Sequence, residues 1–224
     1  MILRISIAKT RAEVLRCQYF IAEIYNRHYQ IMFSEDGHDL DARIEPYPQK
    51  YLMGTVDGLL VCAFGLYTRN TYVERYGGLT DEEVLGQLEE AGVADRYVGA
   101  TRRELTKLVV RDGWESFGLA RMILNAAHSR MFCEGDWDGD GRPVLLLICG
   151  KVSIIECFWA PKGPVRARYL APFPRYPVHS EYRSDKDPMQ SRLIIPDVDI
   201  PAALRELTLP VELEITARAP KVGG

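Results

Sequence analysis

The sequence predicts a mixed α/β fold, a sheet carrying helices on its faces, and three observations lead to it. Val14, Cys17, Ile21 and Ile24 recur with the spacing of one helix face. Asp57-Gly58 stands between two apolar runs, the strongest short-range signal for a β-hairpin. The stretch Arg103–Arg130 then reads as an apolar strand, a glycine turn and a long amphipathic helix. No repeat, linker or low-complexity block interrupts the chain, so its 224 residues are expected to form a single domain, 1–224.

Each element follows from local pattern. Ile2–Ala8 reads as a short strand. Arg11–Tyr29 reads as a helix, and Thr10 with Glu13 three residues on is a capping-box signal for its start. Gln30–Lys50 is irregular and acidic, broken by Gly37, Pro46 and Pro48. Tyr51–Val56 and Leu59–Tyr67 are the hairpin strands, and the second, apolar at consecutive positions, should be central. Thr80–Ala91 reads as an exposed acidic helix with a second capping box, Thr80 to Glu83. Leu105–Val110 is the next strand, Phe117–Phe132 the long helix and Val144–Cys149 a short buried strand. Val152–Trp159 reads as a helix ended by Pro161-Lys162-Gly163-Pro164. Val165–Leu170 and Val211–Ile215 alternate apolar and polar residues as half-buried strands do. Pro172–Pro201, rich in proline and charge, is expected to be mostly loop.

Composition removes several function classes. The net charge of −3 leaves no electrostatic footprint for nucleic acid. No stretch approaches eighteen apolar residues, so no membrane span is expected. The N-terminal MILRISIAKTR lacks the apolar core of a signal peptide. Five cysteines without a CxxC spacing read as reduced core thiols, and the protein is expected to be cytoplasmic. The four histidines show no metal spacing, so no metal is expected. Asp136–Gly141 looks like the first half of a calcium loop, but Leu147 stands where the bidentate Glu belongs, and a tight Asp/Gly turn is the reading kept.

The chemistry concentrates in Arg103–Arg130. A glycine turn that opens a helix leaves backbone N–H groups at its N-terminus, where anions are attracted. Glu104 lies on the strand before it, three residues from Lys107. A carboxylate next to an acyl-thioester site is a candidate general base for an attacking amine. The alternative for Glu104 is a solvated strand residue paired with Arg102 or Lys107. Arg16 and Phe20, four apart on one helix face, are either an amphipathic surface or a wall over the donor. Leu146, Cys149, Phe158 and Trp159 are apolar beyond what a two-carbon group needs and are candidates to line an acyl chain; core packing is the plainer reading.

The order of elements, with a glycine turn between the fourth strand and its helix, resembles the GCN5-related N-acetyltransferase (GNAT) fold. That resemblance implies a mostly antiparallel central sheet flanked by helices. The family cradles a donor pyrophosphate with Arg/Gln-x-x-Gly-x-Gly/Ala, and the run here is Glu115-Ser116-Phe117-Gly118-Leu119-Ala120. Gly118 and Ala120 match, whereas Glu115 departs. The autoinducer synthases, the acyl-homoserine-lactone branch of this fold, carry Glu-x-Ser-Arg where this chain has Glu104-Leu105-Thr106-Lys107. They carry Arg-x-x-x-Phe where it has Arg16-Cys17-Gln18-Tyr19-Phe20, and paired aspartates near the place of Asp39 and Asp41. Phe64–Thr68 replaces the branch's arginine and Leu-Pro-Thr-like run, so the acceptor need not be the one that yields a homoserine lactone.

The resemblance implies an N-acyltransferase that uses acyl carrier protein or acyl-coenzyme A as donor substrate, a small-molecule amine as acceptor and no tightly bound cofactor. Glu104 and Lys107 would be catalytic. Val109, Val110, Arg111, Ser116, Phe117, Gly118, Leu119 and Ala120 would hold the donor. Arg16, Phe20, Asp39, Asp41, Leu146, Cys149, Phe158 and Trp159 would bind substrate. Glu115 tilts the donor towards acyl carrier protein, because it disfavours a pyrophosphate. An acetyl-coenzyme A acetyltransferase and a catalytically silent acyl-binding member of the fold are the alternatives.

Overall fold

The computed structural model describes residues 1–29, 48, 50–68, 71, 79–133, 142–159, 167–172, 189–196 and 209–216. Its strands are β1 (Ile2–Ile7), β2 (Lys50–Val56), β3 (Leu59–Tyr67), β4 (Thr101–Val110), β5 (Val144–Lys151), β6 (Ala167–Pro172), β7 (Met189–Pro196) and β8 (Val211–Glu214). Its helices are α1 (Arg11–Tyr29), α2 (Asp81–Glu90), α3 (Leu119–Cys133) and α4 (Val152–Trp159). The strands hydrogen-bond in the order β6-β7-β5-β4-β3-β2-β1-β8. Registered pairs are antiparallel for β1 with β2 and β8 and for β7 with β5 and β6, while β4 and β5 run parallel. This is the expected mixed, mostly antiparallel sheet with helices.

Two compact units divide the chain. The first holds Met1–Gly65, Lys107–Ala127 and Leu207–Gly224, and the second holds Leu66–Thr106 and His128–Glu206. In the first, α1 lays Cys17, Phe20, Ile21 and Ile24 against Tyr51 and Met53 of β2, Leu60 and Ala63 of β3 and Val109 of β4. The apolar stripe read from the sequence is thus what docks the helix. In the second, Val84 and Leu88 of α2 pack on Leu145 and Leu147 of β5 and on Leu193 and Ile195 of β7.

The local signals hold where local chemistry decides. The Thr10 amide donates to Glu13 Oε2 at 2.9 Å, and the Glu13 amide donates to Thr10 Oγ1 at 3.2 Å. Thr80 and Glu83 repeat both bonds at the same distances. Each box satisfies donors that a helix start leaves open. Asp57 (φ 48°) and Gly58 (φ 77°) close the hairpin with two left-handed residues, as a two-residue turn that follows the sheet twist requires.

Three of the differences from expectation have a clear physical reason. β4 begins at Thr101, not Leu105. Arg102, Arg103 and Glu104 do not look like strand interior, but β4 is central, with β5 and β3 as neighbours, and the ladder holds them extended. α3 begins at Leu119, because the 3₁₀ turn Glu115–Phe117 comes first. The expected loop Pro172–Pro201 contains β7. Its prolines dominate the composition, but Pro196 ends the strand, where a missing N–H is tolerated. Leu193, Ile194 and Ile195 are all buried between the neighbouring strands. The calcium-like turn Asp136–Gly141 lies outside the described residues. No helix among the described residues is long and apolar enough to cross a membrane.

Candidate functional site

In the first unit, β4 ends at Val110 and is followed by Arg111, a residue held by three contacts. Its amide donates to the Val61 carbonyl at 2.8 Å, and its Nε donates to the Leu60 carbonyl at 2.8 Å. Its guanidinium lies 4.9 Å from the centroid of the Phe20 ring. A planar guanidinium stacks well on an aromatic face. The backbone bond, the Nε bond and the stacking fix the position of the guanidinium. The predicted Arg16–Phe20 face therefore splits in two. Phe20 is buried beneath Arg111, whereas Arg16 is exposed and donates to the Gly58 carbonyl at the hairpin tip.

Asp112 follows, and its two oxygens are shared between neighbours on α1. Arg27 Nη1 donates to one at 2.5 Å, and His28 Nε2 meets the other at 2.7 Å. These bonds, to Arg27 first and then to His28, hold the Asp112 carboxyl below the usual aspartate range. Arg27 is also paired with Glu23 at 2.6 Å.

The chain then turns through Gly113 (φ 82°) and the 3₁₀ turn Glu115–Phe117 to Gly118 (φ 71°). Trp114 and Phe117 pack their rings 5.0 Å apart inside this turn. The left-handed Gly118 donates its amide to Glu115, and its carbonyl accepts from Met122 at 3.2 Å, which starts α3. Leu119, Ala120 and Arg121 are the first three helical residues, and no carbonyl of the helix can reach their N–H groups. The sequence-predicted donor residues thus form a turn with an anion-attracting helix start. Leu119 and Val109 are buried, Ser116 and Glu115 are exposed, and Phe117 and Ala120 lie between these extremes.

The two predicted catalytic residues are both buried: Glu104 is 1% exposed and Lys107 is 8% exposed. The solvated-pair reading of Glu104 does not fit that burial. Arg102 instead pairs with Asp81, and Arg103 donates to the Thr68 carbonyl. Glu104 is in register with Leu147 of β5, and the parallel pairing runs over Thr101–Leu105. Two residues beyond that run, Lys107 adopts φ 56°. A left-handed lysine inside a strand costs of order 1–3 kcal/mol and marks a break in the regular ladder. No sequence signal announces it, since lysine has no preference for that region.

In the second unit, Leu146 is fully buried and in register with Ile194 of β7. Cys149 is partly buried and lies opposite Ser191, its Sγ 2.8 Å from the Ser191 Oγ. Phe158 meets Trp159 edge to face at 5.7 Å, and Trp159 is 1% exposed, a core residue. Asp39 and Asp41 lie outside the described residues. Sequence reading missed the stacking of Arg111 on Phe20 and the contacts of Asp112, which join residues 84 and 85 positions apart.

No protein-family model and no curated protein matches the chain. Among solved structures it is similar to the coenzyme A-dependent acyl-homoserine lactone synthase BjaI with MTA, at TM-score 0.54 and 9% identity, over 92% of this chain and 87% of that one. BjaI with SAM and isopentyl-CoA gives a TM-score of 0.53 at 12% identity over the same shares. A second coenzyme A-dependent acyl-homoserine lactone synthase, MesI, gives 0.52 at 14% identity, over 91% and 92%. At these identities the likeness is one of fold. The chain has the GNAT-like fold of the acyl-homoserine lactone synthases.

Proposed function

We propose that this chain is an N-acyltransferase, a single domain over 1–224 working in the cytoplasm. It moves a fatty acyl group from a phosphopantetheine thioester to the primary amine of an amino acid or related small molecule. The observation that carries this reading is the turn after β4. There the guanidinium of Arg111 and the helix-start N–H groups of Leu119, Ala120 and Arg121 suit a phosphate.

In this reading Glu104 accepts a proton from the amine, directly or through water. The amine nitrogen forms a bond to the thioester carbon, the carbon–sulfur bond breaks, and the thiol leaves with a proton. Backbone N–H groups of β4 past the left-handed Lys107 are suited to the carbonyl oxygen as it gains charge. Val109 and Val110 offer backbone bonds to the pantetheine arm. BjaI, with which this chain shares a fold, was solved with isopentyl-CoA. The exposed acid Glu115 on the turn favours the single phosphate of acyl carrier protein over the pyrophosphate of coenzyme A. Leu146, Cys149 and Phe158 are the residues assigned to the acyl chain, with Arg16, Phe20, Asp39 and Asp41 assigned to substrate.

The test is thiol release from a panel of acyl-carrier-protein and coenzyme A thioesters, from two carbons upward, at fixed amine. Each added methylene should raise kcat/KM until the lining is full, since burying one contributes about 0.8 kcal/mol. A maximum at acetyl would favour an acetyltransferase, and no turnover with any donor or amine would favour a silent binding protein. Gly118→Asp adds a side chain to a left-handed position and a negative charge at the helix start. It should abolish donor binding by calorimetry while the fold persists, and unchanged affinity in a folded variant would remove the donor from this turn.

A further inference from the structure

The donor turn holds a feature that works against its proposed ligand. Asp112 sits between Arg111 and the helix start, and a carboxylate there repels a phosphate. The structure turns that carboxylate onto α1, where Arg27 and His28 each take one oxygen at 2.5 and 2.7 Å. Phe20, Ile24, Arg27 and His28 form one stripe of α1, spaced four, seven and eight residues from the first. That single stripe stacks Phe20 beneath Arg111 and holds Asp112. Two consecutive residues just past the end of β4 are therefore set by one helix face, the cation stacked on Phe20 and the anion engaged by Arg27 and His28.

These ion pairs do little for global stability. The side chains of Arg27, His28 and Asp112 are 50%, 49% and 36% exposed, and pairs that exposed contribute little to folding. Their effect is local, on the field next to Arg111.

We infer that Arg27, assisted by His28, is a positioning residue for the donor: it holds and neutralises Asp112, so that the Arg111 guanidinium and the start of α3 can accept a phosphate. This rests on the donor reading above. It predicts opposite signs for the two partners of one ion pair. Arg27→Gln leaves Asp112 with His28 alone, without its guanidinium, and weakens a phosphate-bearing ligand. Asp112→Asn removes the opposing charge, so affinity stays level or rises. The double variant Arg27→Gln/Asp112→Asn recovers what Arg27→Gln loses.

The experiment is calorimetry with two probes, octanoyl-4′-phosphopantetheine and octanoyl-pantetheine, which differ only in the phosphate. For Arg27→Gln the phosphorylated probe should bind about three- to tenfold more weakly, the size expected for one partly screened charge beside a helix end. The unphosphorylated probe should change by less than about twofold, since it carries no charge for Asp112 to repel. A mere structural clamp would weaken both probes together, weaken Asp112→Asn as well and leave the double variant impaired, and any of these results overturns the inference. Gly118→Asp separates the two levels. If it abolishes the preference for the phosphorylated probe while Arg27→Gln leaves it intact, the inference fails and the donor reading stands. If wild type shows no such preference, the donor reading fails with it.

Discussion

The β2–β3 hairpin and the connection from β4 to α3 both turn the chain in the first unit with left-handed residues, but they do so by opposite rules. The hairpin spends its two positive φ angles on Asp57 and Gly58, residues that tolerate them, and buries nearly every other position. Nothing in it contradicts local preference. The β4–α3 connection departs from such preference repeatedly. The strand that leads into it buries Lys107 and forces it to φ 56°, and the connection itself sets Asp112 and Glu115 beside a helix start. A chain tolerates such departures where function needs them, because the surrounding fold offsets their cost. The hairpin is where this fold is stabilised, and the connection is where its chemistry is proposed to lie.

The largest effect expected from this contrast is on turnover. Glu104→Gln keeps the shape of a buried side chain and removes its proton acceptor. General-base assistance is typically worth about 10²–10⁴-fold, so kcat should fall by that order with donor affinity little changed. A fall of less than about threefold, far below that range, would make Glu104 a structural strand residue and erase the contrast.

A stability effect without a functional one should appear in the hairpin. A Cβ added at Gly54 would stand 2.4 Å from Cys62 Sγ and 3.2 Å from Leu3 Cδ1. Cys62 is fully buried, and burial pushes its thiol up to about 12, so that it packs as a neutral hydrophobe. Gly54→Ala should cost about 1–3 kcal/mol by denaturant titration, as overpacked cores do. Adding Cys62→Ala should return part of that loss, because the two sites share one contact. Donor affinity in the folded Gly54→Ala variant should match wild type, and a coupled loss would mean that the hairpin shapes the site as well.

The same contrast explains what the sequence could and could not reveal. Capping boxes at Thr10 and Thr80, the Asp57-Gly58 turn and the α1 stripe are decided within a few residues, and each appears where local chemistry puts it. The turn after β4 was readable too, since Gly113 and Gly118 take the left-handed angles that their positions need. β7 was hidden because composition was dominated by prolines that only border it. The left-handed Lys107, the stacking of Arg111 on Phe20 and the grip of Arg27 and His28 on Asp112 are set by tertiary packing. Nothing within a few residues of them encodes these contacts.

The smallest expected effect is the pH dependence of the Asp112 contacts, and its sign follows from the direction of one shift. Arg27 first, then His28, holds the folded carboxyl below its ordinary value. A depressed carboxyl contributes its stability in full above the unfolded value, about 3.9 for aspartate, and loses it as pH falls through the folded one. Glu13 is lowered as well, by the Thr10 and Lys9 amides, so its contribution is also lost on acidification. An acid-unfolding curve of wild type alone therefore mixes the two groups. The difference in Tm between wild type and Asp112→Asn separates them, since Glu13 is common to both. That difference should be small, because the pairs are exposed. It should shrink as pH falls below the ordinary aspartate value, about 3.9, and close once the folded carboxyl is protonated. A difference still unchanged well below that value would mean that the pairing of the ionised carboxyl with Arg27 and His28 is not its source. The electrostatic distinction between the connection and the hairpin would then lose its basis.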